Sequence, residues 1–113
     1  MENNSLIQKD IFIGNLSQNY GTFFQFSEQD KSREISIQFE STNPISVYFV
    51  PSKEDFSKFI QDEEYSNYPN CFFENKDFEI INCNVSSGGI IFYNPNLEKN
   101  VNYTITLLEE EYL

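Results

Sequence analysis

The stretch that decides the fold is residues 34–60, EISIQFESTNPISVYFVPSKEDFSKFI. From Glu34 to Glu40, polar and apolar side chains alternate without a break. This period of two is typical of a strand with one buried face, here carrying Ile35, Ile37 and Phe39. Asn43-Pro44 then interrupts the pattern, and Ile45 to Val50 forms a second, more apolar β-prone run. The stretch therefore predicts two consecutive strands of a packed β-domain.

A short helix is predicted next, from Lys53 to about Asp62. Ser52 precedes it, and a serine oxygen can accept a hydrogen bond from a backbone N–H of the first helical turn. Phe56, Phe59 and Ile60 share one face of the helix. Because so short a helix is marginal by itself, we expect this face to pack against the sheet.

The same alternation, divided by turn residues, continues through the rest of the chain. Together the segments predict seven or eight short strands and an all-β fold, an antiparallel sandwich or barrel, of which we favour a β-sandwich of jelly-roll type. No β-α-β rhythm occurs, which disfavours a doubly wound α/β fold. At 113 residues the chain is expected to form a single domain, 1–113, with residues 1–7 as a loose N-terminal segment. The further strands are expected over Lys9–Asn15, Tyr20–Ser27, Cys71–Asn75, Phe78–Val85, Ile90–Tyr93 and Asn100–Glu109.

Charge and composition exclude several classes of partner. The net charge of −11 opposes the phosphate backbone, so nucleic-acid binding is not expected. Anionic membrane surfaces are disfavoured for the same reason, and the absence of a long apolar run argues against membrane insertion. The charge is interpreted mainly as a means of solubility, with a cationic partner or a divalent cation as the alternative.

No enzymatic chemistry can be assigned. The chain has no histidine, which rules out Ser-His-Asp and Cys-His arrangements and leaves a structural zinc site without ligands. No phosphate-binding motif occurs either. The acidic runs Asp62–Glu64 and Glu109–Glu111 lack the spacing of a known calcium loop and are interpreted as solvated surface. We therefore expect a non-enzymatic protein with no cofactor and no metal.

Cys71 and Cys83 are the two cysteines of the chain. Residues 71–75 and 78–85 look like the two arms of a hairpin turning at Asn75-Lys76-Asp77, which would place the two thiols at or near opposite positions. A disulfide closing this loop of about 13 residues would add about 3 kcal/mol of stability. Two reduced, half-buried thiols are the equally weighted alternative.

Four tyrosines are the best candidates for binding, because a flat apolar ring with a polar tip suits both protein interfaces and sugar stacking. They are Tyr48, Tyr65, Tyr68 and Tyr93, and ordinary sheet packing is the alternative interpretation. Asn15, Asn84 and Asn102 stand in Asn-X-Ser/Thr sequons and are possible glycosylation sites if the chain enters a secretory route.

Several of these segments carry a family resemblance. Ser46–Val50 followed by the Pro51–Phe56 helix start, and Gly88–Asn94 followed by Val101–Leu107, resemble the GOLD-type β-sandwich of p24 cargo-receptor lumenal domains and related extracytoplasmic domains. The resemblance spans roughly residues 19–108 and implies a sandwich fold with extracytoplasmic protein–protein contacts. It transfers no catalytic residues, and because the coiled-coil and transmembrane parts are missing, it transfers no cargo-receptor role.

The sequence thus predicts a protein-interaction module, a lumenal or extracytoplasmic β-sandwich domain or a fragment of a larger protein. A free sheet edge is one means of pairing with a protein partner. The alternative is a jelly roll that binds carbohydrate or Ca²⁺ through the loops around Asp62 to Tyr68. The protein is expected to be secreted, lumenal or on the cell surface if a signal peptide was removed, and otherwise cytoplasmic.

Overall fold

The computed structural model describes residues 4–26 and 32–112, with side chains described over 10–26 and 32–109. The predicted all-β fold with one short helix is confirmed over these residues. Of the expected loose segment 1–7, residues 1–3 lie outside the description, and β1 begins at Asn4. The elements are β1 Asn4–Leu16, β2 Gly21–Gln25, β3 Arg33–Val50, α1 Lys53–Ile60, β4 Phe72–Val85, β5 Gly89–Tyr93 and β6 Val101–Tyr112.

All six strands belong to one antiparallel sheet with the order β1-β6-β3-β5-β2, in which β4 lies beside β3. The long strand β3 is shared between two sets of partners. Its first half pairs with β6, from Ile35 to Ser41, and its second half pairs with β5, from Ser46 to Val50. β4 follows the other side of β3 along both halves. The sheet therefore curls over, and its two halves face each other.

The curl explains why six strands are found where seven or eight were expected. Asn43-Pro44 bends β3 without ending it, and the β3–β4 ladder shifts register between Glu40 and Ile45 and again between Ile45 and Val47. Proline has no N–H to donate, so an irregular point of the ladder is where it is tolerated. Asn75, at a positive φ of 55°, lies in the matching bend of β4, and its N–H donates to Ser46 Oγ at 3.3 Å.

The predicted hairpin between residues 71–75 and 78–85 is wrong, because Phe72–Val85 forms the single strand β4, which Cys71 directly precedes. Cys71 and Cys83 are nevertheless joined by a disulfide, with their Cα atoms 5.6 Å apart. Twelve residues of straight strand would separate them by about 40 Å. The disulfide therefore links the two halves of the curled sheet, and the thiols meet because β4 doubles back.

The main core lies between the two halves. Phe39 stacks on Phe73 with ring centroids 4.6 Å apart, and Phe12 of β1 contacts Phe24 of β2 at 4.9 Å. The predicted inward face of β3 is confirmed, since Ile35, Ile37 and Phe39 are buried. On β6, Val101, Ile105 and Leu107 are buried in the same core, and Tyr103 is half-buried against it. In β1 the inner position belongs to Phe12, so Ile11 and Ile13 point outward, and Ile13 is 79% exposed.

Candidate functional site

The helix α1 covers the outer face of the β2–β5 half of the sheet. Phe56 stacks on Phe23 of β2 with ring centroids 5.2 Å apart, and Phe59 contacts Tyr48 of β3 with ring centroids 5.3 Å apart. These rings form a second, smaller core around Tyr48, Val50 and Ile91. The predicted packing of the helix face is confirmed for both phenylalanines, whereas Ile60 remains 54% exposed at the end of the helix.

Asp55 attaches the loop after α1 to the start of the helix. The expected capping bond from Ser52 is not formed, and the Ser52 hydroxyl instead donates to Asp55 Oδ2 at 2.7 Å. The other carboxylate oxygen of Asp55, which is buried, accepts the Ser66 N–H at 2.9 Å. This hydrogen bond holds the segment that carries Tyr65.

At its other end, α1 directs two acidic residues toward the same region. The Asp62 N–H donates to the carbonyl of Phe59 at 3.2 Å, and the Glu63 N–H donates to the carbonyl of Lys58 at 2.8 Å. Asp62 has a positive φ of 58°, which turns the chain sharply away from the helix axis. Both acidic side chains are exposed.

Three of the four predicted tyrosines come together around Phe59. Tyr65 and Tyr93 each lie nearly perpendicular to the Phe59 ring, with centroid distances of 5.3 Å and 5.2 Å. Tyr48 contacts Tyr65 at 5.9 Å. Perpendicular and tilted arrangements at these distances are favourable for aromatic pairs.

Tyr48 is the floor of this cluster, because only 8% of it is exposed. Its hydroxyl donates to Glu74 Oε2 at 3.0 Å. Burial, followed by the hydrogen bond and the charge of Glu74, raises the pKa of Tyr48 far above its ordinary value. Burial and then the same carboxylate also raise the pKa of Tyr65. Both phenols are therefore neutral at physiological pH.

Tyr93 is held at the end of β5 by its neighbours. Its hydroxyl donates to Oδ1 of Asn19, a residue with a positive φ of 50° in the turn after β1. The next residue, Asn94, is fully buried, and its side-chain amide donates to the carbonyls of Leu16, Ser17 and Lys99. These bonds join the ends of β1 and β5 to the start of β6 and fix the position of Tyr93.

A cavity of about 590 Å³ opens between these elements, and we call it the aromatic groove. Phe59, Tyr65 and Tyr93 provide aromatic walls, Ile60 adds an apolar edge, and Asn19, Asp62 and Glu63 are its polar groups. Among the residues whose side chains the structure describes, no lysine or arginine lines it. Within the part of the chain that the structure describes, the carboxylates of Asp62 and Glu63 form no hydrogen bond or ion pair. The groove is therefore aromatic and negatively charged.

Tyr68, the fourth predicted tyrosine, lies outside the groove. Its hydroxyl donates to the carbonyl of Ser87 at 2.7 Å, its N–H donates to the carbonyl of Phe49 at 2.8 Å, and its ring packs on the main core. Sequence reasoning missed Asn19, Phe59 and Ile60 as groove residues. The apolar spacing of α1 showed that Phe59 is a contact residue, but no local signal pointed to Asn19.

The other predicted sites are found on the surface. Asn15, Asn84 and Asn102 are all exposed, and the Asn15 amide donates to Asn102 Oδ1 at 2.8 Å across the β1–β6 pair. Among residues 4–26 and 32–112, no group of three or more histidine, cysteine or acidic side chains is arranged to hold a metal ion. Within the same residues, no helix has the length and apolar character needed to cross a membrane.

No protein-family model matches this chain, and no curated protein matches it.

Proposed function

We propose that this chain is a non-enzymatic protein-interaction module that binds its partner through the aromatic groove. The observation that carries the proposal is the convergence of Phe59, Tyr65 and Tyr93 around one open cavity. Aromatic side chains are enriched at protein interfaces because they bury a large area with little loss of conformational freedom. The volume of the groove, about 590 Å³, is also large enough for a side chain with its adjoining backbone.

Preorganisation supports a binding role. Asp55 holds the Tyr65 segment, and Asn94 holds the end of β5 that carries Tyr93. Groups that are already fixed before a partner arrives lose less entropy on binding. The disulfide between Cys71 and Cys83 supports an oxidising, extracytoplasmic compartment, in line with a GOLD-type domain.

Carbohydrate binding is the second candidate. Tyrosine rings beside carboxylate and amide oxygens, as in Tyr65, Tyr93, Asp62 and Asn19, suit a sugar that stacks one face and hydrogen-bonds through its hydroxyls. Binding to a glycan array that is lost in Tyr93→Ala would favour this candidate over the protein partner.

A displayed library of random peptides, selected against the folded protein, tests the proposal. We expect enriched peptides to lose at least tenfold in affinity for Tyr65→Ala and for Tyr93→Ala. The matched control is Ile13→Ala, which removes an exposed apolar side chain from β1, outside the groove. Urea unfolding of each variant separates lost binding from lost folding. Enriched peptides that bind the folded groove variants as tightly as the original protein would overturn the proposal.

A further inference from the structure

We infer that the aromatic groove takes a positively charged side chain, a lysine or an arginine, of the protein partner. This inference rests on the proposed function and adds the chemistry of the ligand. It is argued from charge complementarity, from the position of the groove at the end of α1 and from the aromatic rings that line the groove.

The polar part of the groove is negative. Asp62 and Glu63 supply two carboxylates, and the cavity lining over the described part of the chain includes no basic residue. Lys58 is in the last turn of α1 but does not line the groove. The net charge of the whole chain, −11, adds a long-range attraction for cations. A basic side chain entering the groove would therefore meet complementary charge at both short and long range.

The C-terminus of α1 strengthens the preference of this location for a cation. The C-terminal end of a helix carries partial negative charge, so acidic residues there are unfavourable for the helix itself. Asp62 and Glu63 nevertheless follow the end of α1 directly. A cation bound between them would interact favourably with both carboxylates and with the helix dipole.

The aromatic walls suit the same ligand. An ammonium or guanidinium group within about 6 Å of a ring centroid is attracted to the ring face. Tyr65 and Tyr93 both stand nearly perpendicular to Phe59, at interplanar angles of 83° and 80°. The apolar stem of the basic side chain would pack against Ile60 and the rings.

An NMR titration with two nearly isosteric probes tests the charge requirement. The first probe is N-acetyl-arginine amide, and the second is N-acetyl-citrulline amide, which replaces the guanidinium with a neutral urea. We expect the arginine probe to shift the backbone amide resonances of Asn19, Asp62 and Glu63 and to bind at least fivefold more tightly than the citrulline probe.

Two double variants test whether the carboxylates of Asp62 and Glu63 are the groups that attract the arginine probe. Asp62→Asn/Glu63→Gln is expected to weaken binding of the arginine probe at least fivefold. The control Asp10→Asn/Glu40→Gln removes the same charge from β1 and the first half of β3, neither of which lines the groove, and is expected to change binding less than twofold. An equal loss in both double variants would show only general attraction to an acidic protein and would overturn the inference.

The outcomes distinguish this inference from the proposed function. If selected peptides depend on Tyr65 and Tyr93 but carry no basic residue, and the two probes bind alike, the groove is an interaction site and the cationic ligand is refuted. If selected peptides ignore Tyr65 and Tyr93 altogether, the proposed function itself fails.

Discussion

Tyr48 combines packing and electrostatics in one side chain. Its ring contacts Phe59, Tyr65 and Phe72, while its hydroxyl donates to the carboxylate of Glu74. A buried phenol with an anionic acceptor is stabilised in its neutral form, because ionisation would place a second negative charge beside the first. This residue therefore links the stability of the aromatic cluster around Phe59 to pH.

The raised pKa of Tyr48 predicts a loss of stability in alkali. An unfolded tyrosine releases its proton near pH 10, whereas the folded Tyr48 keeps its proton to a higher pH. Above pH 10 the unfolded state therefore binds fewer protons, and the free energy of unfolding falls as the pH rises. Below that pH the contribution is fully present.

Tyr48→Phe has no phenol that can ionise at this position. The decrease in the free energy of unfolding between pH 9 and 11 should therefore be smaller in this variant than in the original protein. Urea unfolding at several pH values measures it. Tyr65 and Tyr103 also have raised pKa values, so part of the decrease should remain in the variant. Equal pH dependence of the two proteins would contradict the assignment to Tyr48.

At the scale of elements, α1 and the loop that follows it act as one unit. Asp55 accepts hydrogen bonds from Ser52 in front of the helix and from Ser66 in the loop. The position of Tyr65 in the groove depends on this connection, because Tyr65 directly precedes Ser66.

Replacing Asp55 tests this dependence. Asp55→Ala leaves the Ser66 N–H without its acceptor, and we expect a loss of about 1–3 kcal/mol in the free energy of unfolding. Amide hydrogen exchange at Ser66 should become faster, and binding at the groove should weaken. Asp55→Asn is the matched control, since its amide oxygen can still accept from Ser66. Unchanged exchange in Asp55→Ala would show that the loop is held by other contacts.

The disulfide between Cys71 and Cys83 is expected to stabilise the folded protein. Opening the bond between Cys71 and Cys83 removes a cross-link of about 13 residues from the unfolded chain and should cost about 3 kcal/mol. Urea unfolding with and without reductant measures the change, and mass spectrometry verifies the state of the thiols. Cys71→Ser/Cys83→Ser should match the reduced protein and be insensitive to reductant. If reductant also lowered the free energy of unfolding of this double variant, the loss in the original protein could not be assigned to the disulfide.

At the scale of the whole molecule, the net charge of −11 opposes compaction. Sodium chloride shortens the range of this repulsion, so the melting temperature should rise between 10 mM and 300 mM salt. Binding of the arginine probe should weaken over the same range, because salt screens attraction as well as repulsion. Calorimetry and the NMR titration measure the two trends. A melting temperature that falls with added salt would contradict the prediction.

The sequence determined the local features of this protein. A two-residue period marked the strands and the inward face of β3, formed by Ile35, Ile37 and Phe39, because side chains of a strand alternate between its two faces. The spacing of Phe56 and Phe59 likewise marked the buried side of α1. The charge and the missing histidine follow from composition alone. The strand and helix faces depend only on neighbours within a few residues.

Only the tertiary structure decided how these pieces meet. Asn43-Pro44 was a correct signal for a break in regular pairing, but whether a strand ends or bends there depends on the register with β4, a distant segment. That bend brings Cys71 to Cys83 across the core. The aromatic groove likewise combines Asn19, Phe59, Tyr65 and Tyr93. Such contacts arise from the packing of segments far apart in the chain, which a local pattern does not encode.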